Sequence, residues 1–422
     1  MRALLEESFR AAVAAADPAR ILAPALPTPP KGRTFVAAVG KAAASMAVAL
    51  EAAWPAQAPL EGVALTRYRH ALPTRRIRVI EGGHPVPDTA GEAGAREILA
   101  AARALAADDL LIALVSGGGS SLLALPLEGL SMGDLKTVTM QLLHSGAPIQ
   151  DINTVRKHLS AIQGGRLAAA CRAPVCALII SDVTGDAPTH IASGPCAPDP
   201  TTFADAIGVL AKFQVTPPAA IARFLADGAA GALPETPKPG SPALAKAENR
   251  VIATAHRSLE AAAETFRAAG VTPVILGDTV TGEAAEVAKV MAALVREIRS
   301  YRAPFAPPVA LISGGECTVT IDGDGGRGGR CSEFLLALAV ELDGLDAVHA
   351  LAADTDGIDG SEDNAGAYLT PTSLTRARAL GLDARRSLAA HDSYGFFAAL
   401  GDLLVTGPTY TNVNDYRAIL VA

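Results

Sequence analysis

Short aliphatic runs recur along the chain, each ending in small or polar residues and each followed by a stretch of helical character. They are TFVAAVGKAAASMA (34–47), LLIALVSGGGSSLL (110–123), VCALIISDVTGDAPTH (175–190), NRVIATAHRSLEAAAETF (249–266), PVALISGGECTV (308–319), AVHALAADTDGIDG (347–360) and GDLLVTGPTYTNVND (401–415). Apolar residues stand at consecutive rather than alternate positions, which suits strands buried on both faces, and alternation with helices suits parallel sheets. The pattern predicts an α/β fold whose polar tips lie at the carboxyl ends of the strands, where ligands gather in open sheets. Between AAIARFLADGAAGAL and the strand near Val251 lies PETPKPGSPALAKAEN (234–249), rich in Pro and Gly and without periodicity. It reads as a linker, predicting domains over 1–240 and 241–422.

Composition narrows the class. With 422 residues the chain exceeds what one core usually serves. Half of the residues are hydrophobic but only 4% are aromatic, so the core is aliphatic and fits helices on a sheet. A net charge of -7 and the lack of a basic block exclude a nucleic-acid partner. The nearest basic cluster, TRYRHALPTRRIRV (66–79), reads as a solvated edge or loop. Five cysteines without a CxxC motif point to reduced thiols and a cytoplasmic location. The N-terminal stretch carries Glu6, Glu7 and Arg10 and reads as an amphipathic helix rather than a signal peptide. No apolar run is long enough to span a membrane. A homodimer is the expectation for a soluble enzyme.

The loops carry the candidate chemistry. In SGGGSS, Gly117, Gly118 and Gly119 permit positive φ and let backbone N–H groups approach a ligand, while Ser116, Ser120 and Ser121 offer hydroxyls and a helix start. Free N–H groups and a positive helix end together favour phosphate. The consecutive glycines match neither G-x-x-x-x-G-K-[ST] nor G-x-G-x-x-G. Lys41, after Gly40, opposes the macrodipole of a following helix and so suggests an anionic ligand. Arg330 precedes a strongly apolar helix and can grip a carboxylate or phosphate through two parallel hydrogen bonds. Arg327 reads as part of a glycine-rich hairpin tip.

Asp182, Asp186, Asp354, Asp356 and Asp359 fall at strand tips, where carboxylates beside a phosphate loop can hold Mg²⁺. Asp182, Asp354 and Asp356 are the metal candidates; Asp186, Glu316, Asn412 and Asn414 are candidates for substrate contact. An EF-hand reading of 354–367 fails because Ile358 stands where a polar ligand is needed. His84, in GGHPVPD, reads as a structural loop residue, and Ser116 and Ser120 lack the G-x-S-x-G elbow of serine hydrolases.

Taken in order, VGKAAASM, GGHPVPD, LVSGGGSSLL, INTVRKHLSAIQGGRLA, SDVTGDAPTHIASGPCAPDP, SGGECTV, GRGGRCSEFLLALA, DTDGIDG and TGPTYTNVND resemble the glycerate 2-kinase family, whose C-terminal part is called the MOFRL domain. Bacterial members are often labelled hydroxypyruvate reductases. The resemblance spans residues 5 to 420 or so. It implies a larger Rossmann-like three-layer α/β/α domain and a smaller α/β domain with a cleft between them. It also implies ATP- and Mg²⁺-dependent phosphorylation of the 2-hydroxyl of D-glycerate, with Lys41 and Arg330 as the catalytic residues. Where the family commonly has Asn and Gln after the arginine, this chain has Cys331 and Ser332. An NAD(P)H-dependent hydroxypyruvate reductase and a non-catalytic ligand-binding protein are the alternatives; the first lacks its dinucleotide fingerprint here.

Overall fold

A computed structural model describes residues 1–321 and 325–422. The first three residues of the glycine-rich segment 322–342 lie outside the described residues. Contacts divide the chain into two compact units, Pro18–Ile252 on one hand and Met1–Asp17 with Ala253–Ala422 on the other.

The first unit is built on β1 (Thr34–Val39), β2 (Leu60–Arg67), β3 (Ile77–Gly82), β4 (Leu110–Val115), β5 (Val175–Ile180) and β6 (Ala247–Ala253), in the order β3-β2-β1-β4-β5-β6. The pairs β1–β2, β1–β4, β2–β3 and β4–β5 are parallel. Strands β1, β4 and β5 are buried along their whole lengths, which is why their apolar runs are unbroken. One core forms on a face of the sheet from Val39, Leu65, Ile98, Leu111, Val115 and Ile179. A second, wholly helical core joins Val138, Leu142, Ile152, Val155, Phe203, Leu210 and Leu225. Capping boxes at Ser131/Asp134 and Thr202/Asp205 start two of its helices. The basic stretch 66–79 runs from the end of β2 into the edge strand β3, and Glu51 and Glu97 take up much of its donor capacity.

The second unit contains β7 (Thr272–Gly277), β8 (Gly282–Glu283), β9 (Val309–Ser313), β10 (Cys317–Thr318), β11 (Val348–Asp354), β12 (Gly366–Leu369), β13 (Leu403–Leu404) and β14 (Asp415–Val421). Its main sheet has the order β13-β12-β11-β14-β9-β7, while β8 and β10 pair separately. Helices cover both faces. Helices Ala284–Tyr301 and Arg330–Leu342 pack on one side. The N-terminal helix Arg2–Ala14 and helix Ala255–Ala268 pack on the other, through Leu5, Phe9, Leu259 and Phe266.

Three expectations change. The second sheet is mixed rather than parallel: only β7–β9 is parallel, and β11–β12, β11–β14, β12–β13 and β14–β9 are antiparallel. The connection from β11 to β12 holds no helix, so it cannot make the crossover that a parallel pair requires. The segment 234–249 leads into the first sheet, where the amide of Val175 donates to Lys246 O, so the contacts divide near 252 rather than 240. The N-terminal helix belongs with the second unit, tied there by Ser8 Oγ to Tyr416 Oη at 2.7 Å and by Tyr368 Oη donating to Glu6 Oε2 at 3.0 Å.

All five cysteines are free thiols. Among the described residues no helix is long and apolar enough to cross a membrane.

Candidate functional site

In the first unit the strand order reverses between β1 and β4, and the loops after these strands meet at their carboxyl ends, the place where open sheets of this type bind ligands. Gly40 and Lys41 follow β1; Ser116 to Ser120 follow β4. Backbone bonds lace the two loops together. Ser116 N donates to Val39 O (3.0 Å), Lys41 N to Gly117 O (2.8 Å) and Ala42 N to Ser116 Oγ (3.1 Å). This proximity explains Gly40: its φ is +116°, and an added Cβ would sit 2.3 Å from Ser116 Oγ and 2.4 Å from Ser116 O.

Gly118 has φ +78°, and a Cβ there would lie 2.8 Å from His84 Nε2 and 3.3 Å from Lys41 Cγ. The bare turn is thus where Lys41 and His84 come alongside the backbone. The sequence marks His84 only as a loop residue of GGHPVPD; the contact of that loop with the glycine turn is created by the fold. The amides of Gly117 and Gly118 find no acceptor among the described residues. The helix begun by the glycines is shorter than expected, Gly119–Leu122, so its dipole adds little to the bare amides. Ser120 Oγ meets Ser193 Oγ at 2.8 Å rather than capping that helix.

In the second unit Arg330 opens helix Arg330–Leu342. Its guanidinium is held by Asp415 (Nε to Oδ1, 2.7 Å), Asp354 (Nη2 to Oδ2, 2.7 Å) and Glu316 (Nη1 to Oε1, 3.2 Å). Burial opposes its charge, but these three carboxylates outweigh burial and hold its pKa well above the ordinary arginine range. Asp415 is itself gripped from behind by Arg417, a buried arginine that also reaches Cys317 Sγ at 2.8 Å. Asp359 is buried and caps the helix, accepting from Cys331 N (2.9 Å), Ser332 N (2.8 Å) and Ser332 Oγ (2.7 Å). Cys331 is fully buried in the core, so the two positions that depart from the family pattern serve packing and capping. Glu333 meets His391 Nδ1 at 2.8 Å, and burial raises its pKa. Arg327 pairs with Glu362 at 2.8 Å and lies over Tyr394, in keeping with a surface role.

The remaining candidates separate. Asp186 takes φ +52° and donates its amide to Val183 O, the geometry of a turn former, while Asp182 follows β5 half-buried. Asp356 accepts from Ile358 N (2.9 Å) and donates its own amide to Asp354 Oδ1 (3.0 Å). Asn412 Oδ1 accepts from Asn414 N (3.2 Å), and Asn414 O accepts from Thr355 Oγ1 (2.6 Å), so these asparagines order the Thr355 loop. Glu316 is brought to Arg330, an association that the sequence does not reveal. Among the described residues no group of three or more His, Cys, Asp or Glu is disposed to hold a metal ion. Asp182 lies in the first unit, and Asp354 and Asp356 lie in the second.

Comparison with known proteins gives concordant findings. A domain of unknown function, DUF4147, matches residues 4–226, and the MOFRL family matches residues 309–415. A protein of Agrobacterium vitis carrying the provisional name hydroxypyruvate reductase is 50% identical over 100% of this chain and 94% of its own. The glycerate 2-kinase of Pyrococcus horikoshii is 41% identical, over 93% of this chain and 88% of its own. The crystal structure of glycerate kinase from Thermotoga maritima superposes with a TM-score of 0.87 at 37% identity, covering 99% of each chain. The chain belongs to the glycerate kinase family that carries a C-terminal MOFRL domain.

Proposed function

We propose that the chain transfers the γ-phosphoryl group of ATP to the 2-hydroxyl of D-glycerate, giving ADP and 2-phosphoglycerate. The observation that carries this reading is the lacing of the β1 and β4 loops, which brings Lys41 to a glycine turn with bare amides. Two relatives named glycerate 2-kinase and D-glycerate 2-kinase support it. Phosphoryl transfer asks a protein chiefly for positioning and charge stabilisation. The Gly117 and Gly118 amides would hold phosphate oxygens, and the Lys41 ammonium would offset charge on the transferring group. In the second unit Arg330 would offer Nη1 to an anionic group, since its partner Glu316 is 54% exposed and can yield, while Asp415 and Asp354 keep the fork oriented.

Mg²⁺ needs only one or two protein oxygens beside substrate phosphates, and Asp354 and Asp356 stand two residues apart in one loop, with Asp356 N donating to Asp354 Oδ1. Asp354 and Asp356 would hold the ion, which when bound neutralises phosphate oxygens.

The test is an end-point assay of ADP formation with Mg²⁺ and D-glycerate, with phosphorus NMR of the product. A phosphomonoester on the secondary carbon is expected. Oxidation of a reduced nicotinamide by hydroxypyruvate, with no ADP formed from glycerate, would overturn the reading in favour of the reductase.

A further inference from the structure

Helix Ile149–Leu159 carries a cation that the roles above leave unused. Its neighbour Lys157 is fully buried and bonded to Asp199 at 2.7 Å, and nearby Arg166 donates to Lys157 O at 2.7 Å. Arg156 differs from both. Among the described residues no carboxylate lies within salt-bridge distance of it, and its one hydrogen bond runs from Nη1 to the neutral Asn153 Oδ1 at 3.3 Å. Burial lowers its pKa to about 10, and no carboxylate restores it. A guanidinium partly withdrawn from water without a counter-charge is costly, and an anion would relieve that cost.

The surroundings say where such an anion would sit. Among the described residues, Arg156 is the only charged one lining a narrow pocket whose other polar walls include Ser120, Thr139 and Gln163, the rest being mostly apolar. Ser120 directly follows the triple glycine, and Pro87, also in the wall, belongs to the loop that brings His84 to Gly118. Gln163 Nε2 donates to Ser120 O (2.8 Å) and Leu123 O (3.2 Å), tying the pocket to the glycine turn. The Thr139 hydroxyl has no partner among the described residues.

We propose that Arg156 is the specificity residue that receives the carboxylate of the acceptor hydroxy acid, its planar fork facing the carboxylate with the Ser120 and Thr139 hydroxyls beside it. The pocket is too narrow for a nucleotide, which leaves the small carboxylate as the anion of the proposed reaction. The identity of the acceptor rests on the kinase reading; the anion site itself rests on the pocket.

Arg156→Gln and Arg156→Lys test the assignment, with kinetics against D-glycerate, its uncharged methyl ester and ATP, and with calorimetric binding of D-glycerate in the absence of nucleotide. Arg156→Gln should raise the KM for D-glycerate by about 10- to 100-fold, leave the KM for ATP within about twofold, and leave the methyl ester almost unaffected. Arg156→Lys should fall between. Because no ion pair is lost, the melting temperature of Arg156→Gln should not fall; a marked fall would assign the residue to structure and overturn the proposal. An unchanged KM for D-glycerate, or a shift in the KM for ATP instead, would also overturn it. If the wild type binds D-glycerate through Arg156 but forms no ADP, the kinase reading fails and the anion site stands. If ADP forms from glycerate at a rate indifferent to Arg156, the kinase reading stands and the anion site fails.

Discussion

The two units build their candidate sites from opposite materials. In the first, the β1 and β4 loops contribute bare backbone: Gly40 and Gly118 in positive φ, and the amides of Gly117 and Gly118 without an acceptor among the described residues. In the second, Arg330 is fixed by side chains, with Asp415, Asp354 and Glu316 on its three nitrogens and Arg417 behind Asp415. A backbone site tolerates no added atoms but carries its polarity in groups that every residue possesses. A charge network tolerates atoms but not the loss of a partner, because an uncompensated buried charge costs several kcal/mol. The stability of the first site should therefore be sensitive to size and that of the second to charge.

The largest expected effect removes the Lys41 ammonium from the backbone site. Lys41→Ala should lower kcat by roughly a thousandfold, about 4 kcal/mol of transition-state stabilisation. A variant that kept normal turnover would take Lys41 out of the site.

Arg330→Ala comes next and should behave differently. It leaves Asp354 without its cation, facing an Asp415 that keeps only Arg417, so stability should fall by about 3 kcal/mol in a denaturant titration alongside the loss of activity. Loss of activity without loss of stability would mean that the carboxylates do not depend on the arginine.

Gly40→Ala probes size. The added methyl would press on Ser116 at 2.3 Å in a conformation that L residues avoid, and a destabilisation of more than ~2 kcal/mol is expected. A midpoint like that of the wild type would show that the two loops can part at little cost.

The smallest effect lies beside the first site. His190 has its Nδ1 buried without a partner among the described residues, and burial, assisted by the charge of Lys157, lowers its pKa below the usual histidine value. The unfolded chain then binds a proton at a pH where the folded chain does not, so this contribution to stability is lost as pH falls from about 6.5 through the lower folded value. His190→Phe should flatten the stability profile in that window. An unchanged slope would assign the acid sensitivity elsewhere.

Much of the first site can be read from the chain because glycine is informative: consecutive glycines after a buried strand announce a close backbone approach, and Gly40 before Lys41 announces another. Lys41 and Arg330 stand out by local position alone. His84 and Asp415 do not. Both stand in motifs shared with the family, GGHPVPD and TGPTYTNVND, but neither residue is singled out by its own position, and each reaches its site across a long separation, 34 residues from Gly118 and 85 residues from Arg330 respectively. The terminal strand β14, which delivers Asp415 and Arg417 to the middle of the second sheet, also escapes the strand pattern because its run starts in a polar loop.

What the sequence determined by itself was local: buried strands from continuous aliphatic runs, helices from their apolar faces, and turns from residues whose φ is free. Those follow from interactions between near neighbours, which the order of residues states directly. Only the tertiary structure decided that the second sheet is mixed, that the first helix packs with the last strand, and that an arginine is shared among three carboxylates. These outcomes depend on which distant segments meet, and pairing free energies between distant segments are not written in any one stretch of chain.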